Sequence, residues 1–304
     1  MKQIIHIGYP KTGTTWFQNS FYPFVTNYHF HDREFINRKL IKSSLTDFDP
    51  NEFRKYIKQS KKINTIICEE MIAGRFRAGR INENLAFEYG YRLKKIFSNP
   101  IIIIFIRNQL DIIASMYFQY LKSGGNYSIN RFLFNRGQTD LKEELLFSFK
   151  FFEYHRIINI YLDLFGQKNV HVFTYEDFQY NQLSFLKEFK SAYNMRINLD
   201  SVKLDYQNKS FSPQIIPIVK FLNSFNRRGY IFKRYYFNIP YLANISRRLY
   251  NSNLFINHNS SNNYLINSLK KDEYASVMEY YKESNHLLLS KYKMKSIRKF
   301  NYPL

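Results

Sequence analysis

The stretch Gly8-Tyr-Pro-Lys-Thr-Gly-Thr-Thr-Trp16 decides how the rest of this chain is read. It follows a short apolar run, Lys2-Gln-Ile-Ile-His-Ile-Gly8, and runs on into Thr14 to Phe21, which contains no helix breaker. The local order is therefore strand, tight loop, helix. Gly8 and Gly13 have the spacing of the phosphate-binding loop GxxxxGK[ST], in which backbone N–H groups and a helix N-terminus cradle an anion. Thr14 stands where that motif has its lysine, and Lys11 sits inside the loop instead. A cation still reaches the anion, but the usual nucleoside triphosphate arrangement is lost. There is also no clear strand-terminal Asp to hold Mg²⁺, which counts against ordinary phosphoryl transfer.

Further along the chain the same grammar repeats. Asn64-Thr-Ile-Ile-Cys68 reads as a buried strand running into Glu69 and Glu70, and Pro100 to Ile106 as another running into Arg107. A helix is expected from about Leu110 to Leu121, ending at Gly124-Gly125, and a long one over roughly Glu143 to Phe165. A fourth strand, Val170-His-Val-Phe-Thr174, leads into Tyr175-Glu-Asp177. Apolar strands alternating with helices predict an α/β fold with a parallel sheet covered on both faces, where functional groups gather at the C-terminal strand ends. Gly8, Glu70, Arg107 and Tyr175 all sit at such ends. Beyond about Asn208 the alternation gives way to helical segments separated by Pro213, Pro217 and Pro240, and no internal repeat is visible.

With 304 residues, 45% hydrophobic and 23% charged, the chain is neither disordered nor collagen-like and has ample length for a core. Its longest aliphatic-aromatic run, Ile101 to Ile106, is far short of the roughly 20 residues needed to span a bilayer. With no export signal visible and a single cysteine, Cys68, a cytoplasmic location is the expectation. The formal charge of +21 suits an anionic partner. From Tyr206 to Lys271 there is no Asp or Glu, while ten Lys and Arg residues occur there. This basic region suits an anionic glycan or a membrane surface; a set of solvated faces, or biased codon usage, explains it as well. No nucleic-acid-binding motif is present.

The string YPKTGTTW resembles the 5′-phosphosulfate loop of sulfotransferases that use 3′-phosphoadenosine 5′-phosphosulfate (PAPS). Arg107-Asn-Gln-Leu-Asp-Ile-Ile-Ala-Ser115 is similar to that family's 3′-phosphate motif, an Arg at a strand end followed eight residues later by a helical Ser. Phe165 to Phe178, with its FG turn, strand and YED segment, and Asn208-Lys-Ser210 add to the resemblance, which covers roughly residues 1 to 215. It looks like the soluble bacterial, carbohydrate-type members rather than the Golgi enzymes. The resemblance implies a P-loop-like parallel sheet flanked by helices with a mainly helical C-terminal region. It implies one sulfotransferase domain over 1–304, with a core of 1–215 and a helical, basic region over 216–304. Gln109 departs from the family's Pro, whose service there is to start the helix.

Carried over residue by residue, the resemblance gives Lys11, Thr12, Gly13, Thr14 and Thr15 to the 5′-phosphosulfate, with Lys11 offsetting charge on the leaving oxygen. It gives Trp16 and Tyr175 to the adenine, and Arg107 and Ser115 to the 3′-phosphate. PAPS is then the donor, PAP the product, and no metal is implied. The acceptor is a hydroxyl, on a saccharide or glycolipid, and needs a base. Glu70 is the expected base and Glu69 the alternative, because a one-residue change of register swaps them. Blander readings stand beside these: Glu69 and Glu70 as surface ion pairs with Arg75, Arg77 and Arg80, Trp16 as core, Ser115 as a small packing residue, His6 and His171 as satisfied core histidines. A Mg²⁺-dependent kinase and a polyanion- or membrane-binding protein remain the rival functions.

Overall fold

The computed structural model describes residues 2–31, 33–59, 64–77, 80–82, 85–134, 146–204, 210–211, 213–226, 236–239, 242, 245, 256–257 and 261–304. Strand β1 (Gln3–Gly8) leads through the loop into α1 (Thr14–Trp16), which continues as a π-turn over Phe17–Phe21. Strand β2 (Tyr28–Phe30), α2 (Arg33–Ile36), α3 (Pro50–Lys58) and β3 (Asn64–Cys68) follow. After a 3₁₀ turn, Glu70–Ala73, a small hairpin pairs β4 (Arg75–Arg77) with β5 (Arg80–Asn82). Next come α4 (Leu85–Ile96), β6 (Ile101–Ile106), α5 (Gln109–Lys122) and α6 (Ile129–Phe134). Then α7 (Tyr154–Phe165), β7 (Val170–Thr174), α8 (Tyr175–Tyr180) and α9 (Gln182–Ala192) complete the layered part. Strands β8 (Ser210–Phe211) and β9 (Ile256–Asn257) pair with each other, with α10 (Ile216–Ser224) between them. The helices Ser261–Ser268, Lys271–Ser290 and Ser296–Lys299 close the chain.

The main sheet is parallel throughout, in the order β2-β3-β1-β6-β7. Its strands are rich in isoleucine because both faces are covered, so successive residues enter opposite apolar layers. Ile5, Ile7, Ile67, Ile102, Ile104 and Ile106 join one cluster with α4, α5, α7 and the C-terminal helices. Ile4, Ile66, Cys68, Ile103 and Phe105 join the other, under Trp16, Phe17, Phe21, Phe178 and Phe189. No helix of the described residues is long and apolar enough to cross a membrane.

Two sequence expectations change, and one strand is added. The edge strand β2 was not legible, since three residues, Tyr-His-Phe, carry too little pattern. The beginning of the helix expected from Glu143 lies outside the described residues; where the description resumes, the chain takes a 3₁₀ turn over Lys150–Phe152 that buries Phe151 and Phe152, and the helix starts at Tyr154. Gln109 does more than replace a helix-starting Pro. Its amide is fully buried and pairs with Asn285, giving Nε2 to Oδ1 at 2.8 Å and accepting from Nδ2 at 3.1 Å, while Asn285 also donates to the Pro303 carbonyl at 2.8 Å. Asn208 and Lys209 and most of the basic stretch, including Arg227, Arg228, Lys233, Arg234, Arg247 and Arg248, lie outside the described residues.

This buried pair makes a prediction. Asn285→Leu strands the Gln109 amide and should destabilise the protein by about 1–3 kcal/mol in urea unfolding, whereas Gln109→Leu with Asn285→Leu should recover part of that loss. Additive losses in the double variant would contradict the pairing.

Candidate active site

The loop after β1 is held at both ends by backbone bonds. Tyr9 N–H donates to the Phe105 carbonyl at 3.2 Å, and Trp16 and Phe17 N–H donate to the Gly13 carbonyl at 2.9 and 3.2 Å. Between them the Thr12 hydroxyl donates to the Tyr9 carbonyl at 2.6 Å. The loop turns through two left-handed residues, Lys11 at φ 67° and Gly13 at φ 85°. Gly13 is a real requirement: a Cβ there meets the Tyr175 ring at 3.1 Å. At Gly8 a Cβ meets the Thr14 and Thr12 hydroxyls at 2.6 and 2.8 Å, so side-chain hydroxyls fold back against the strand end.

Arg107, at the end of β6, is pinned on three sides. Its Nη1 donates to the Lys11 carbonyl at 3.1 Å, its guanidinium lies 5.0 Å from the Tyr175 ring centroid, and its carbonyl accepts from the Tyr154 hydroxyl at 2.5 Å. Ser115 lies half-buried in the second turn of α5, on the helix that Asn108 caps through its side chain at Leu110 N–H. Around the loop and the end of β6, the Thr14 hydroxyl, Arg107 Nε and His6 Nε2 are buried and have no hydrogen-bond partner among the described residues. A phosphosulfate and a 3′-phosphate fit this donor set, because orphaned donors beside a glycine-lined cradle suit anionic oxygens.

The two adjacent carboxylates separate cleanly. Glu69 is fully buried and fully engaged: it accepts from Arg33 Nε at 2.8 Å, Arg33 Nη2 at 3.3 Å, Asn37 Nδ2 at 2.9 Å and Met71 N–H at 3.1 Å. Glu70 keeps 36% of its side chain accessible and lies 3.8 Å from Arg33 Nη2. Burial and then the Glu69 charge push the Glu70 carboxyl up, while Arg33 and Lys11 pull it down. Burial holds the Lys11 ammonium below its ordinary value, with Glu70 opposing. Lys11 and Glu70 therefore sense each other across the ends of neighbouring strands.

Other sequence-named residues fall differently. The Trp16 ring is only 4% exposed, packs on Phe17 and Phe178 at 5.2 and 5.0 Å, and donates Nε1–H to the Lys203 carbonyl at 3.2 Å. Thr12 is buried and Thr15 exposed. His171 is satisfied by Tyr193 at 2.6 Å and the Lys168 carbonyl at 3.2 Å, whereas His6 has Tyr22 alone at 2.8 Å, and burial lowers its pKa to about 3. The side chains of Arg75, Arg77 and Arg80 lie outside what the structure describes. Arg33 was missed because nothing near it in sequence marks it; only folding brings it to Glu69 and Glu70. Glu176 was read only as part of the YED string, yet its carboxylate accepts from Asn108 N–H and from the Tyr302 hydroxyl, both at 2.8 Å.

These contacts give the two carboxylates opposite stability effects. Glu69→Gln should cost about 1–3 kcal/mol in urea unfolding, because charge-assisted bonds in a buried site are lost. Glu70→Gln should be neutral or stabilising at pH 7. A carboxyl whose folded pKa is raised contributes fully below its unfolded value of 4.5 and loses that contribution as pH rises through the folded value, so the variant's advantage should grow over that window. Equal destabilisation by both variants would contradict the division of labour.

No curated protein matches the chain. Among solved structures, a sulfotransferase from Alicyclobacillus acidocaldarius is 13% identical, with a TM-score of 0.48 over 71% of this chain and 88% of that one. The mouse sulfotransferase SULT7A1 complexed with PAP is 14% identical, with a TM-score of 0.47 over 100% of this chain and 89% of that one. The model of the sulfotransferase domain family matches residues 1–212, the stretch that carries the loop, both carboxylates, Arg107 and Tyr175. The chain belongs to the sulfotransferase domain family.

Proposed function

We propose that this protein transfers a sulfuryl group from PAPS to a hydroxyl of a saccharide or glycolipid, with Glu70 as general base. The observation that carries the reading is the meeting of Lys11, Glu70 and Arg107 at the C-terminal ends of β1, β3 and β6, three neighbouring strands. In the reaction the acceptor oxygen forms a bond to sulfur as the bond from sulfur to the bridging phosphate oxygen breaks. The acceptor proton passes to the Glu70 carboxylate, and PAP leaves with the bonding electron pair. Lys11 and the amides of Thr12 to Thr15 stabilise the charge on the leaving oxygen, and Thr14 supplies its unpartnered hydroxyl. Arg107 and Ser115 take the 3′-phosphate, with the Tyr175 ring beside the guanidinium. The raised Glu70 carboxyl makes it a stronger base than an exposed glutamate, and Glu69, spent on four hydrogen bonds, orients Arg33 beside it.

The reading takes residues 1–304 as one functional unit, because Tyr281, Leu288, Ile297 and Tyr302 share a hydrophobic cluster with α5 and α7. It places the enzyme in the cytoplasm, among carbohydrate-type members of the family. The basic stretch Tyr206 to Lys271 is proposed to favour an anionic glycan or membrane surface around the acceptor.

Thermal unfolding with PAP, AMP and ATP plus Mg²⁺ tests the donor. PAP at about 100 times its Kd should add roughly 2.7 kcal/mol of stability without metal, and AMP should add less. Stabilisation by ATP with Mg²⁺ alone would favour a kinase. Arg107→Ala should bring the affinity for PAP down towards that for AMP, and equal losses for both would refute its role. Turnover tests the base. Glu70→Gln should keep the PAP shift and lose about 10²–10⁴-fold in kcat. In the wild type, kcat/KM should rise with pH through an acid limb above 4.5, since the base must be deprotonated and its value is raised, and that limb should vanish in Glu70→Gln.

A further inference from the structure

Beside the strand ends that carry Glu70 and Lys11 lies a cavity of about 480 Å³, between the first turns after the loop and the end of β2. His29, Phe30, His31 and Arg33 line it from β2 and the start of α2, Gln18 from the helix after the loop, and Tyr56 from α3. Its rim reaches Thr15 of the loop. Arg33 is shared with the reaction centre, since it bonds Glu69 at 2.8 Å and approaches Glu70 to 3.8 Å. The cavity thus opens next to the proposed base. Its volume lies within the range of small-molecule sites.

One residue in it is unexplained by packing. His31 is 2% exposed, and both its ring nitrogens are without a hydrogen-bond partner. Its ring meets His29 edge-on at 4.5 Å and lies 5.5 Å from Tyr56. Buried polar groups are nearly always satisfied, so an imidazole orphaned at both nitrogens on a cavity wall marks a place where a ligand completes the bonds. Burial, and then His29, lower its pKa to about 4, so at neutral pH the ring is uncharged, with one donor and one acceptor. A sugar hydroxyl donates and accepts in the same way, whereas a carboxylate or sulfate only accepts.

Charge points in the same direction. Among the described residues the cation at the cavity is Arg33, whose Nε and Nη2 are spent on Glu69, and Glu70 stands beside it. Two carboxylates against one guanidinium leave an anionic ligand without a counter-charge. Phe30 and Tyr56 add aromatic carbon to the lining, which suits the C–H surface of a pyranose.

We propose that this cavity is the acceptor subsite, that it takes an uncharged hexose ring, and that His31 is a specificity-determining residue reading a ring hydroxyl. The word acceptor rests on the sulfotransferase reading above; the uncharged sugar does not follow from it.

Saturation-transfer NMR on the full chain with PAP, using methyl β-D-galactopyranoside, methyl β-D-glucopyranoside and methyl β-D-glucopyranosiduronate, tests this. A neutral hexoside should bind the wild type. His31→Ala should weaken it about tenfold, the loss of one or two hydrogen bonds. Asn19→Trp, at an exposed position on the rim, should block it by filling the cavity even where His31→Ala folds poorly. Both variants should keep the thermal shift with PAP. Binding of neither neutral hexoside, preference for the uronoside, or unchanged binding in Asn19→Trp would overturn the proposal while the PAP shift persists. Absence of that shift in the wild type would overturn the donor reading and the acceptor assignment together.

Discussion

Strand β1 is hydrogen-bonded along both edges, in parallel, to β3 on one side and β6 on the other, and every chemical group in the site depends on that constraint. Because parallel strands end together, Gly8, Cys68 and Ile106 finish at one edge of the sheet, and the residues that follow them arrive at one place. The isoleucines of β1, β3 and β6 make this arrangement possible. They fill two apolar layers so completely that the strands have no freedom to slide, which would put every side chain on the wrong face. Lys11, Glu70 and Arg107 are neighbours for that reason, although they are far apart in sequence.

The low-dielectric setting then decides what each polar group does. Arg107 is rigid because the Lys11 carbonyl, the Tyr175 ring and the Tyr154 hydroxyl fix it on different sides. The far C-terminus reinforces the same corner. Asn108 caps α5 and donates to the carbonyls of Phe300 and Asn301 at 2.9 and 3.0 Å, and Glu176 joins Asn108 N–H to the Tyr302 hydroxyl. A carboxylate such as Glu69, with four donors around it, is a structural post. One residue on, Glu70 makes only the longer 3.8 Å approach to the Arg33 guanidinium and keeps 36% of its side chain accessible. The difference arises from the turn at Glu70–Ala73, which Glu69 itself caps.

Much of this was legible before folding. The loop glycines, the positions of β3, β6 and β7, the helix after Arg107 and the family resemblance all follow from local pattern, because apolar runs bounded by charge and glycine have few other ways to be buried. Glu69 and Glu70 could be named but not separated, since adjacent residues of a strand end differ only in which face they take. Trp16 carried two readings in sequence, and the fold packs its ring among phenylalanines.

What the sequence by itself determined is the alternation of strands and helices and the chemistry available at each strand end, for these rest on hydrophobic periodicity and loop geometry within a few residues. Only the tertiary structure decided that Arg33 binds Glu69, that Gln109 pairs with Asn285, that Phe147 to Phe152 leave the helical path, and that His31 faces a cavity without a partner. Each of these depends on contacts between segments that share no local signal, and their energies exist only once burial has removed the competing water.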